Sequence, residues 1–200
     1  MATKRRVGAE NSETRARIVE AAEAVIRDDG YAAVSTRKVA TRLGLPASLV
    51  HYYFPATADL WLAVFRRGAA QSDAMIDAAA ADHDPVRALW RFHADASRAA
   101  LSLEFMALAN RHASLRAAIA DHVAAMRARE SDMFARAIGA RLAEAPRATP
   151  GVSPEALSVL LAGVGRALVM EGAMGVSAGH ADARAWIDGW LDALLGTRPA

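Results

Sequence analysis

Two hundred residues, 54% of them hydrophobic, supply enough apolar surface for one compact body or two unequal ones, which excludes a disordered chain. The absence of cysteine excludes a disulfide framework, thiolate metal sites and thiol nucleophiles. The net charge of +2 conceals a polarity: residues 1–67 carry eleven Lys/Arg against seven Asp/Glu, whereas residues 68–200 carry thirteen against fifteen. A basic front of this size points to nucleic acid only if a motif supports it, because solvated surface charge gives the same balance. The longest run without a charged residue, Leu43 to Ala58, contains Pro46 and Pro55 and is shorter than the about 20 apolar residues that span a bilayer. The polar start Met1-Ala2-Thr3-Lys4-Arg5-Arg6 lacks the apolar core of a secretory signal, so a cytoplasmic protein with no membrane partner is expected.

Ile18, Ala21, Ala22, Val25 and Ile26 recur at helical spacing, with Ser12 as N-cap, Glu13 in the first turn and Gly30 beyond the last, which predicts a helix over about 12–29. Ser35 caps a short stretch from Thr36 to Leu43. Gly44 turns the chain, and a second short stretch runs from Pro46 to Phe54, where Pro46 fits the first turn and Pro55 closes it. From Thr57 the pattern is alanine-rich and helical. It is punctuated at His83-Asp84-Pro85, less strongly near Leu101-Ser102 and His112-Ala113-Ser114, and clearly over Ala145 to Ser153 and Gly175 to Ala181. No stretch alternates as a strand does. The expected fold is all-α, about nine helices: a three-helix N-terminal domain, residues 1–55, joined to a larger helical domain, residues 56–200.

Within Thr36 to Phe54, Val39, Leu43, Leu45 and Val50 make an inner seam, Ala40 permits close approach and Gly44 provides the turn, a spacing that matches a helix-turn-helix. The same letters also fit a plain helical hairpin. The continuation His51-Tyr52-Tyr53-Phe54-Pro55, followed by a long helix opening Thr57-Ala58-Asp59-Leu60, narrows the choice. With the Arg17-Ile18-Val19-Glu20-Ala21-Ala22 helix and Asp29-Gly30-Tyr31, the chain resembles the TetR family of bacterial transcriptional regulators over residues 12–65, and beyond that only in helical layout. The resemblance implies three DNA-binding helices, a fourth linking to a ligand-binding body, and a homodimer paired through the last two helices.

Carried over residue by residue, the resemblance places Ala47, Ser48 and Leu49 facing bases, His51 and Tyr52 at or beneath the phosphate backbone, and Thr36 and Arg37 touching backbone or bases. Arg37, Lys38 and Arg42 would supply positive charge, Thr57 opens the linking helix, and Lys4, Arg5 and Arg6 would form an arm along the duplex. Three departures weaken that pattern. Ala56 and Thr57 replace the Ser and Lys usual after Pro55, Pro46 replaces the usual Ser or Thr, and Ala47 and Leu49 offer only apolar contacts such as thymine methyls. Affinity is therefore expected to lean on phosphates and shape. Tyr53 and Phe54 are expected to pack; for Tyr52 packing and phosphate contact both stand open.

In the larger domain, Leu115, Ile119, His122, Met126, Met133 and Ala137 lie near one helical stripe, with Glu130 beside it, His93 after Trp90, and Glu171 on the eighth helix. These polar residues fit either a hydrogen-bonded core or contacts to a ligand. Trp61, Phe65, Met75, Trp90, Phe105, Met106, Met126, Met133 and Phe134 fit either a cavity lining or an ordinary core. No glutamate has histidine three residues later, and no His-Glu-x-x-His, Gly-x-Ser-x-Gly or phosphate-binding glycine loop occurs. No enzyme, cofactor or metal site is expected. The expected function is a homodimeric DNA-binding regulator. The resemblance makes it a repressor released from a pseudo-palindromic double-stranded operator by a small apolar effector. The rivals are a constitutive DNA-binding protein and a ligand-binding helical protein that no longer engages DNA.

Overall fold

The computed structural model describes residues 12–95, 99–144 and 152–195. The helices are α1 (Glu13–Asp29), α2 (Thr36–Leu43), α3 (Ala47–Tyr53), α4 (Thr57–Ala80), α5 (Pro85–His93), α6 (Ala99–Ala109), α7 (Ala113–Glu144), α8 (Pro154–Ala173) and α9 (His180–Leu195), with a 3-10 turn at Tyr31–Ala33. Among the described residues there is no strand. Three helix starts are fixed by the same device. Ser12, Ser35 and Ser153 each accept the backbone N–H three residues on, at 3.1 Å, satisfying a donor that the first turn leaves without a partner.

Several boundaries differ from expectation for local reasons. Pro46 lies just outside α3 as its cap residue, with φ −62° and ψ 136°, and Pro85, read as part of the break, opens α5 under the carboxylate cap of Asp84. The weak break near Leu101-Ser102 does not occur: α6 runs through it, since a lone serine does not stop a helix. The arm Lys4-Arg5-Arg6 and most of the Ala145–Ser153 loop lie outside the described residues.

The chain packs as two compact units. Unit one comprises residues up to 70 with 100–120, and unit two comprises 71–99 with the residues from 121 on, so the cuts fall within α4, at the start of α6 and within α7. The cause lies in the core of unit one. Ile18, Ala22, Val25 and Ile26 of α1, Val39 and Ala40 of α2, and Val50 of α3 share one cluster with Phe54, with Leu60 and Val64 of α4, Phe105 and Leu108 of α6, and Leu115 of α7. α1, α2 and α3 bury their apolar faces together with α4, α6 and α7.

Unit two is built on Ile76, Val86, Leu89, Trp90, Met133, Phe134, Ile138, Leu157, Leu161, Leu168, Ile187 and Leu191. Gly165 sets its tightest approach. A Cβ there would stand 2.5 Å from the carbonyl oxygen of His93, so the backbones of α5 and α8 meet where only hydrogen fits. α8 is long and apolar enough to cross a membrane by length and composition, although the charge-free runs gave no hint of it. One face of it serves the core, where Leu157, Ser158, Leu161, Ala162, Gly165, Leu168 and Val169 are buried, while Val159 and Leu160 are exposed.

Candidate nucleic-acid interface

The turn between α2 and α3 forms because Gly44 adopts φ 63°, a left-handed conformation that favours glycine, while its N–H and that of Leu45 return to the carbonyl of Ala40 at the end of α2. α3 is then pinned from one side. Val50 is completely buried, Phe54 nearly so, and the Arg15 guanidinium of α1 sits 4.9 Å from the centre of the Phe54 ring. On the other side of α3, Ala47, Ser48, His51 and Tyr52 are exposed and Leu49 is half-buried. Tyr52, 50% exposed, leans edge-on against Tyr53 with centroids 5.3 Å apart. Tyr53 and Phe54 pack, as expected.

On α2, Thr36 is half-buried and Arg37 and Lys38 are exposed. Arg37 has no ion-pair partner among the described residues, and its carbonyl accepts the Thr41 hydroxyl at 3.0 Å. Lys38 and Arg42, one turn apart on the same face, are paired. Lys38 Nζ lies 3.1 Å from Asp29, and Arg42 Nη2 lies 2.6 Å from Asp28 at the end of α1. At the start of α4, Thr57 is half-buried and no serine is present to cap it. The Asp59 carboxylate compensates from inside the helix by accepting the N–H of Ala56 at 3.1 Å. Unit one is tied further by Glu104 of α6, whose carboxylate accepts the N–H of Tyr31 at 3.1 Å, and by Arg67 of α4, 3.2 Å from Glu23 of α1.

Asp28 and Glu104 were not singled out by the sequence, and Asp29 and Asp59 stood out only as letters of the resemblance, with no contact assigned to them. Only Asp59, three residues after Ala56, carries a local signal in its capping-box spacing. Glu104 and Tyr31 are 73 residues apart, beyond any periodicity argument.

The effector candidates fall into separate groups. In unit one, Trp61 meets His112 edge-on at 4.7 Å, Phe65 meets Phe105 at 5.6 Å, and Met106 is 47% exposed. In unit two, Trp90 and Met133 are buried and Met126 is half-buried in the core. Glu130 is fully buried. Its Oε2 accepts the Ser158 hydroxyl, which in turn accepts from Arg127 at 2.9 Å, while His93 Nε2 lies 3.1 Å from Oε1 but out of line for a hydrogen bond. His122 Nδ1 is 3.9 Å from Asp73, and the Glu171 carboxylate meets His180 Nε2 at 2.8 Å across the α8–α9 connection. Two surface depressions lie on unit two. One of about 560 Å³ is lined by Arg87, Trp90, Arg91, Ala94, Arg184 and Asp188, and one of about 400 Å³ by Met75, Ala79, Asp82, Ala88, Phe92 and neighbours. Of the candidates, Trp90 lines the first and Met75 the second.

Comparison with known proteins bears on this arrangement. Residues 18–64 match the family described as bacterial regulatory proteins, tetR family. No curated protein matches the chain. Among solved structures, the chain is similar to a TetR transcriptional regulator from Legionella pneumophila, at 19% identity and TM-score 0.67, covering 90% of this chain and 98% of that one. It is also similar to a proposed transcriptional regulator from Saccharomonospora viridis in complex with choline, at 18% identity and TM-score 0.69, covering 82% and 86%. A third is the ketosteroid transcriptional regulator KstR2 of Mycobacterium tuberculosis, at 18% identity and TM-score 0.59, covering 82% and 85%. At these identities the likeness shows a shared fold.

Proposed function

The chain carries at residues 18–64 the N-terminal domain of the TetR family of bacterial regulatory proteins, and from that premise we propose that it is a cytoplasmic transcriptional repressor rather than an enzyme. It binds duplex DNA as a homodimer and releases it when a small molecule occupies the larger domain. The observation that carries this reading is the disposition of α3. Val50 and Phe54 anchor it, and Ala47, Ser48, His51 and Tyr52 are left facing solvent, as a helix entering the major groove requires. Functionally, residues 1–55 meet DNA and residues 56–200 serve effector binding and dimerisation.

In this reading Arg37 and Tyr52 contact phosphates, Thr36, Lys38, His51 and Thr57 flank them, and Ala47, Ser48 and Leu49 face base edges. With so few donors on that face, sequence is read through apolar contacts and duplex shape as much as through hydrogen bonds.

The homodimer is supported by an apolar surface on the last two helices, where Val159 and Leu160 of α8 are 54% and 53% exposed and Trp186 of α9 is 69% exposed. Large exposed apolar side chains of this kind mark interfaces. Two-fold pairing would present two copies of α3 to half-sites about 34–36 Å apart, or a multiple of that, on a pseudo-palindromic operator. A small-molecule effector is supported by likeness in fold to a regulator bound to choline and one named for ketosteroids. Such an effector releases DNA only by binding the DNA-incompetent arrangement more tightly. The test is a mobility shift with duplex from the protein's own upstream region. A shift at low salt, with half-site protection in footprinting, is expected; no shift at low salt overturns the reading.

A further inference from the structure

Resting on the DNA-binding reading, we propose that Asp28 and Asp29 limit the strength of duplex binding by withholding two of the three cations that α2 carries. α2 carries Arg37, Lys38 and Arg42, all exposed. Their spacing divides them: Arg37 lies on one row with Thr41, and Lys38 and Arg42 lie one turn apart on the neighbouring row. That second row faces the end of α1, where Lys38 is 3.1 Å from Asp29 and Arg42 is 2.6 Å from Asp28.

Two carboxylates in the last turn of α1 stand at the negative end of its dipole, an arrangement unfavourable for the helix itself. Lys38 and Arg42 relieve that by pairing. The consequence for DNA is a competition. A phosphate that takes Lys38 or Arg42 must displace a carboxylate already in contact, and the displaced carboxylate stays beside the phosphate and repels it. All four side chains are between 42% and 49% exposed, so each pair is weak enough for DNA to open, and its opening is salt-dependent. Arg37 faces no such competition and serves as the uncontested phosphate contact of α2. Protein and duplex thereby meet with fewer net counterions released than the count of basic residues implies.

The experiment measures binding to a mixed-sequence duplex of about 30 base pairs at low and moderate salt, with folding of each variant checked by circular dichroism. Asp28→Asn with Asp29→Asn is expected to bind about tenfold more tightly at low salt, with a logarithmic salt slope steeper by about 0.9 for each additional phosphate that the freed cations engage. Lys38→Ala is expected to matter little in the wild-type background and to cancel most of the tightening in the Asp29→Asn background, a coupling that general charge does not produce. Arg37→Ala is expected to flatten the slope by about 0.9 in either background. Asp132→Asn in unit two removes one charge, as Asp29→Asn alone does, and controls that single variant for net charge.

An unchanged slope in the Asp28→Asn, Asp29→Asn protein overturns the proposal while leaving DNA binding in place. So does a tightening from Asp132→Asn equal to that from Asp29→Asn alone, or strict additivity of Lys38→Ala and Asp29→Asn. A wild-type protein that binds no duplex overturns the DNA-binding reading and the proposal together.

Discussion

In unit one the interior is aliphatic and aromatic throughout, from Ile18 and Val25 to Phe54 and Phe105, and its polar residues lie at the surface as caps and ties. Unit two departs from that in both directions. The buried polar residues Ser72, Glu130, Ser131 and Ser158 all belong to it, and so do six of the eight large apolar side chains found exposed among the described residues, Trp186 foremost. A unit that meets a polyanion needs its apolar groups inside and its polar groups out. One that meets a second protein surface and holds an internal polar network breaks that rule at the places where it does so. On the proposed function, the difference teaches where to look for it: on the surface of one unit, and in the exceptions to burial of the other.

The strongest way to break this comparison is Glu130→Ala. It removes the acceptor of the Ser158 hydroxyl, leaves Arg127 and His93 facing an empty site, and is expected to destabilise by about 3–5 kcal/mol in urea unfolding. Glu130→Gln keeps the shape and an acceptor and should cost less. Were the alanine variant as stable as wild type, Glu130 would not be part of a stabilising network, and its burial would have to serve something else.

Trp186→Asp addresses the other exception. If the exposed faces of α8 and α9 pair two copies, burying a carboxylate in place of a central aromatic should weaken the dimer by about 3 kcal/mol, roughly a hundredfold in dissociation constant, measured by sedimentation. Unfolding of the isolated chain should change by less than about 0.5 kcal/mol, since the side chain it replaces is already in water. A dimer indifferent to this change would place the interface elsewhere.

Gly165→Ala sharpens the packing side of the comparison. Overpacking at 2.5 Å from the His93 carbonyl costs up to about 3 kcal/mol and the helix propensity of alanine returns about 1, so a net loss of about 2 kcal/mol is expected in denaturant unfolding. Gly163→Ala, with nothing within 4 Å of its added Cβ, is the matched control and should be neutral or stabilising.

How much of this was legible in the sequence follows the same division. Ser12, Ser35, Gly30, Gly44 and Pro55 are local punctuation, and α1–α4 lie where that punctuation sets them, within a residue. Val39, Val50 and Phe54 could be assigned to the core because three short helices at this spacing leave few alternatives. Legibility ended where contacts are long-range. Nothing in the letters around Asp28 and Asp29 indicates that they face Lys38 and Arg42, nor that Glu104 reaches Tyr31, since each depends on how helices cross. In unit two, alanine abundance blurs the periodicity that would mark a face. His93 and Glu130 stood out only as polar letters near apolar stripes, and the sequence could not say that they approach one another with Ser158 between α7 and α8. Gly165 is one of several small residues on α8, and nothing in the letters marks it as the one that another backbone touches.

The smallest expected effect tests whether unit one depends on its caps as closely as its regular interior implies. Ser35→Ala removes the oxygen that accepts the Lys38 N–H and leaves that donor without a partner at the start of an eight-residue helix, too short to be stable by propensity. The loss should be about 1 kcal/mol in thermal unfolding. Because α2 braces α3 through Val39, Ala40 and Val50, the same fraying should loosen the outward presentation of Ser48 and Tyr52 and weaken duplex binding with little change in its salt slope. A lowered slope instead would mean that Lys38 had lost a phosphate along with its cap, and that the α2 pairing with Asp28 and Asp29 does not survive contact with DNA.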